Sequence, residues 1–146
     1  MVFHSIGELR QYIISHSKPA VEVAEQKVFQ IMEDVMLQFY GEYDPVMYDR
    51  TFQLLTCCVK TDVVSTGSGW KAEVYFDAGM LGYLTGSQPS GEQVLQAAKW
   101  GRHGAMGLAV ANFKGTPIMD ESISRIASVI FPIMKSALIA AGIPVK

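Results

Sequence analysis

The chain is short of charge. Lysine and arginine number 12 and aspartate and glutamate 14 in 146 residues, leaving a net charge of −2. No Lys/Arg run occurs, so the electrostatic footprint of a nucleic-acid-binding module is missing. Cysteine is scarce too, and the two present, Cys57 and Cys58, are adjacent. Neighbours on a strand point to opposite faces, which argues against a disulfide between them and fits a reducing cytoplasm. The histidines are His4, His16 and His103, with no His-x-His, HExxH or Cys-x-x-Cys, so metal-ligand spacing is absent. The glycine-rich stretches "TGSGW" (66–70) and "GRHGAMG" (101–107) match neither GxGxxG nor GxxxxGK[ST], which removes the sequence case for a phosphate cradle. The longest uncharged stretch near the C-terminus, Ile126–Met134, is too short to span a bilayer and contains Pro132. The opening "MVFHSIGELR" lacks the charged and then apolar pattern of a signal peptide.

What is present points to a folded domain. Hydrophobic residues make up 49% and charged residues 18%, enough apolar content for one core in a chain of this length. Eight methionines and fifteen aromatics (seven Phe, six Tyr, two Trp) suit a protein that buries further surface in an assembly.

Periodicity predicts the elements. Ser5 with Glu8 three residues on is a capping-box pattern for a short first helix over 5–15, with Ile6, Leu9, Ile13 and Ile14 as its apolar stripe. "SHSKPA" then predicts a break at Pro19, so that residues 1–18 form a helix or arm ahead of a domain over 19–146. A longer helix over about 19–40 follows from Ala24, Val28, Ile31, Val35 and Phe39 at three- and four-residue steps, with Gly41 as its stop. Residues 48–60 read as a turn entering a strand. The β-branched run to Thr66, the reversal at "TGSGW" and the alternation over 70–77 predict a β-hairpin, with Trp70, Ala72, Val74 and Phe76 on its covered face. Residues 78–90 read as an extended loop or short strand. Ser90 caps a short helix over Gly91–Trp100, and 101–117 is a glycine-rich loop. Asp120 caps a last helix carrying Ile123, Ile126, Ile130, Ile133 and Leu138 to Gly142, with Pro132 expected to kink or divide it. The fold class expected is α+β: a small antiparallel sheet with a projecting hairpin packed against two long helices.

Chemistry is thinly supported. His103 could act as a general base, or with Cys57 or Cys58 in a nucleophilic pair, but no local motif accompanies either. A solvated loop histidine and buried small cysteines are the simpler reading. Glu33–Asp34 falls on the wet face of its helix, and Asp120–Glu121 suits a helix N-terminus. A denser signal is "YDPVMYDRTFQLL" (43–55). Tyr40, Tyr43 and Tyr48 gather around a turn beside Arg50, and tyrosine and arginine are enriched at interfaces. With Trp70, Trp100 and His103 these are the interface candidates.

The pattern Tyr43, Pro45, Tyr48, Arg50, Thr51, Leu54 and Leu55, followed by "WGRHG" (100–104), "GTPIMDE" (115–121) and the terminal "AGIPV", resembles the minor tail components of long-tailed double-stranded-DNA bacteriophages and prophages, the tail-completion or head–tail joining family. The resemblance spans most of residues 20–146. It implies a virion structural protein of the neck, assembled in the host cytoplasm, with an α+β fold. It also implies a homo-oligomeric ring, commonly sixfold, between the head connector or stopper and the tail terminator or tube. DNA would pass through the lumen without sequence-specific binding, and no catalysis, cofactor, metal or membrane is implied. Tyr43, Pro45, Tyr48, Arg50 and Thr51 would fix helix to sheet and border the subunit contact. The competing classes are a small cytoplasmic hydrolase using His103 with Cys57 or Cys58, and a ligand-binding domain with a pocket between helices and sheet.

Overall fold

The computed structural model describes residues 2–42, 53–81, 91–100 and 117–145. The described residues form three helices, α1 (Ile6–Glu42), α2 (Gly91–Trp100) and α3 (Ile118–Ala140), and four short strands, β1 (Cys58–Lys60), β2 (Val64–Ser65), β3 (Trp70–Lys71) and β4 (Val74–Phe76). Single 3₁₀ turns occupy Gln53–Thr56 and Ala78–Met80. The α+β class expected from the sequence is the class observed.

The predicted break at Pro19 does not occur. α1 runs unbroken through 37 residues, about 55 Å at 1.5 Å per residue. Its start is capped as expected: the Glu8 amide donates to Ser5 Oγ (3.1 Å), and the Glu8 carboxylate receives the His4 amide (2.8 Å). Proline at 19 denies Ser15 its helical donor, a defect that ordinarily costs about 3 kcal/mol. Side chains do bond to the turn before it, at carbonyls other than that of Ser15. Ser15 Oγ donates to the Tyr12 carbonyl (2.9 Å), and the Trp70 indole N–H donates to the Ile14 carbonyl (2.7 Å). Ala20, fully buried on the next turn, holds the helix to the rest of the molecule. Gly41 sits inside the last turn of α1 rather than after it.

α3 lies antiparallel to α1. Arg125 bonds to Gln38 towards one end of the pair, and Tyr12 Oη donates to the Gly142 carbonyl (3.1 Å) at the other. Asp120 is not its cap. The N-cap is Pro117, with no side-chain cap bond, and Asp120 and Glu121 fall within the first turn, where their charge meets the helix dipole. Pro132 is exposed and leaves the helix undivided. The far end is a Schellman turn: the Gly142 amide donates to Ile139 (3.0 Å) and the Ile143 amide to Leu138 (2.9 Å), with Gly142 at φ +83°.

The hairpin forms with one irregularity. β1 pairs antiparallel with β4 (Cys58↔Phe76, Lys60↔Val74), and β2 with β3 (Val64↔Lys71, Ser65↔Trp70). Between the two ladders, residues 61–63 oppose only 72–73, so the register slips by one. Thr61 occupies the bulge: its amide donates to the Glu73 carbonyl, and its hydroxyl receives the Glu73 amide, both at 2.9 Å. The covered face is the one the alternation predicted, ending in buried Phe76. Ile31, Met32, Val35, Met36 and Phe39 of α1 meet Leu54, Cys57, Phe76, Leu81, Leu95 and Ile118 in one core cluster. The Ser90 cap and the 101–116 loop lie outside the described residues.

Candidate interaction surface

The interface candidates divide three ways. Tyr43, Tyr48, Arg50 and His103 lie outside the described residues, as do Pro45 and Thr51. Trp100 ends α2. Tyr40 and Trp70 are described, and both are used inside the chain. Tyr40 is half-buried against the core, its ring edge-on to Phe39 at 6.2 Å between centroids. Trp70 is half-buried where the hairpin meets the proline turn of α1. Its indole N–H is committed to Ile14, and the Lys18 ammonium lies 5.6 Å from its ring centroid. It anchors hairpin to helix.

Cys57 and Cys58 are free and buried. Burial pushes the Cys57 thiol up to about 11, against a smaller opposing pull from Lys99. Burial, reinforced by Cys57 and Glu33, pushes the Cys58 thiol up to about 12. Both thiols are therefore protonated near neutral pH, the opposite of an activated nucleophile.

Two concavities occur beside α1. One is polar, between α1 and the hairpin bulge, lined by Glu22, Glu25, Gln26, Lys60, Thr61 and Asp62. The Lys60 ammonium on its wall contacts both oxygens of Glu25 (3.1 and 3.2 Å) and the Gln26 side-chain oxygen (2.8 Å). Among the described residues no cluster of His, Cys, Asp or Glu is arranged to hold a metal ion. The other is an apolar groove between α1 and α3, lined by Val23, Pro132, Ile133, Ser136 and Ala137.

Much of the uncovered apolar surface lies on the long helices, with Val2, Val64, Tyr75 and Met80 exposed elsewhere. Ile6 is 87% exposed, and Leu9 and Ile13 beside it 39% each. On α3, Phe131 is 70%, Ile123 55% and Ile139 53% exposed. The uncharged stretch Ile126–Met134 lies within α3, which as a whole is long and apolar enough to cross a membrane by length and composition alone, with a mean hydropathy of 1.6 over its most apolar window. The spacing of 6–9–13 and 123–126–130 marks apolar stripes without saying what covers them. The signal that they exceed one core face was available: apolar residues of α3 run around more than half its circumference, where a helix with one buried side shows a single stripe. Compared with known proteins, the chain matches no family model, no curated protein and no solved structure.

Proposed function

We propose that this chain is a structural protein of a tailed-bacteriophage virion, one subunit of the neck ring that joins the tail tube to the head connector. The observation that carries the reading is the solvent exposure of large apolar side chains at helical spacing on both long helices, since surface of this kind marks contact with other proteins. The motif resemblance over residues 20–146 supplies the particular assembly, and the α+β fold agrees with it. The state of the two cysteines favours a surface role over thiol chemistry, because burial holds both protonated. A net charge of −2 is compatible with a lumen through which DNA slides without being gripped.

The test is genetic and structural. Deleting the chain from the phage or prophage that encodes it is expected to leave filled heads and free tails side by side. Mass spectrometry of intact particles is expected to find the chain at several copies each. Joined, infectious particles formed in its absence would overturn the reading.

A further inference from the structure

Burial along α1 changes at one point. From Val2 to Pro19 no residue is buried, and the first buried side chain is Ala20. Beyond it Ala24, Ile31, Val35, Met36 and Phe39 are buried, and the last four belong to the core cluster. Pro19 falls at that step. Its missing amide removes one of the four backbone bonds that cross this point of the helix. The turn before it is weakened further by side chains that bond back to its carbonyls. Ser15 Oγ donates to the Tyr12 carbonyl (2.9 Å), Ser17 Oγ donates to the Ile14 carbonyl (3.3 Å), and His16 Nδ1 lies 2.9 Å from the same Tyr12 oxygen. Hydroxyls bonded back in this way lower helix stability and favour bending.

The groups that hold residues 6–18 in place reach them from other elements. Tyr12 Oη donates to the Gly142 carbonyl (3.1 Å), in the turn that ends α3. The Trp70 indole donates to the Ile14 carbonyl (2.7 Å) from the hairpin, and the Lys18 ammonium lies 5.6 Å from that ring. The ion pair that spans Pro19, Lys18 with Glu22 at 3.4 Å, joins two side chains that are nearly half exposed, so it contributes little. A helical segment this short is marginal in water unless something packs against it. We infer that α1 is two cooperative units joined at Pro19: a body from Ala20 onward that belongs to the core, and an arm over 6–18 that is latched at Tyr12 and Trp70 and opens as a unit while the core stays folded. Opening exposes no buried side chain of the arm, which is what lets a segment open at low cost. The latches sit on two elements, the end of α3 and the hairpin, so a displacement of either one loosens the arm. The inference is independent of the neck assignment.

Amide hydrogen exchange on the full chain, followed residue by residue by NMR, tests it. Amides of 10–18 are expected to exchange at a common rate, on the order of a hundredfold faster than those of 31–39. Tyr12→Phe and Trp70→Phe each remove one latching hydrogen bond and leave an aromatic ring in place. Each is expected to speed exchange across 10–18 about fivefold and to leave 31–39 at the parent rate. Pro19→Ala restores the fourth bond and is expected to slow exchange across 10–18 on the order of tenfold. Should Trp70→Phe disturb the hairpin, visible as faster exchange at 58–60 and 74–76, Tyr12→Phe carries the test alone. One uniform rate from 10 to 39 overturns the inference. So does a smooth gradient from the first turn that the latch variants leave unmoved, which is the fraying of an ordinary helix end. A Tyr12→Phe chain in which arm and body speed up equally overturns it as well.

Discussion

Single residues set the chemistry. Cys57 and Cys58 hold their protons more tightly folded than unfolded, where the ordinary thiol value is 9.0. Above that value the unfolded chain releases protons that the folded chain keeps, so alkali favours unfolding. Stability is therefore expected to fall from about pH 9 upward towards the folded values, and Cys57→Ala/Cys58→Ala to flatten that slope in denaturant titrations. The native thiols are likewise expected to resist alkylation at pH 8 until denaturant is added. Lys60 gives a second case. Its ammonium is an ion partner of Glu25, whose side chain is only 8% exposed. Lys60→Met is expected to cost about 1–2 kcal/mol, discounted because Lys60 itself reaches solvent. Glu25→Gln in the same chain should recover much of the loss in urea unfolding. Buried cysteines were the simpler reading of "TCCVKTD", and both are buried; the pairing of Lys60 with Glu25 was not legible there, because the two lie 35 residues apart.

Whole elements show where local rules give way. Pro19 is a helix breaker by its chemistry, yet α1 passes through it; Ala20 beside it is buried, and the Trp70 indole, bonded to the Ile14 carbonyl, ties that part of the helix to the hairpin. Pro19→Ala restores an amide to Ser15 while freeing the unfolded chain, two opposed effects of about 3 and 1 kcal/mol. The net expectation is a gain of about 1–2 kcal/mol, read as a higher thermal midpoint. Gly142 behaves as the sequence predicts. It ends α3 in the left-handed region, and an added Cβ would come 3.2 Å from Tyr12 Oη. Gly142→Ala is expected to cost about 1–2 kcal/mol and to speed hydrogen exchange in the last turn of α3. The hairpin's bulge was invisible in the alternation, since one inserted residue leaves the covered face of 70–77 unchanged.

For the molecule as a whole, core and exposed stripe should separate in a stability measurement. Met36→Ala, at a fully buried position, is expected to cost about 2–5 kcal/mol. Ile6→Ser and Phe131→Ser, both at exposed positions, are expected to stay within about 0.5 kcal/mol of the parent. An equal loss at all three positions would mean that the stripes belong to the core. Hydrophobic periodicity located both kinds of residue without distinguishing them, because it reports which side chains share a face and says nothing of what covers that face.

Sequence alone determined the class of fold, the cap at Ser5, the hairpin and its covered face, the glycine end of α3 and the content of the apolar stripes. These follow from spacing, capping and turn chemistry, which act over a few residues. Tertiary structure decided that α1 is one helix, that Trp70 is an anchor and that both thiols are inert. It also decided which halves of two similar stripes remain in water. Those outcomes depend on groups far apart in the chain meeting, and meeting is settled by packing rather than by any local preference.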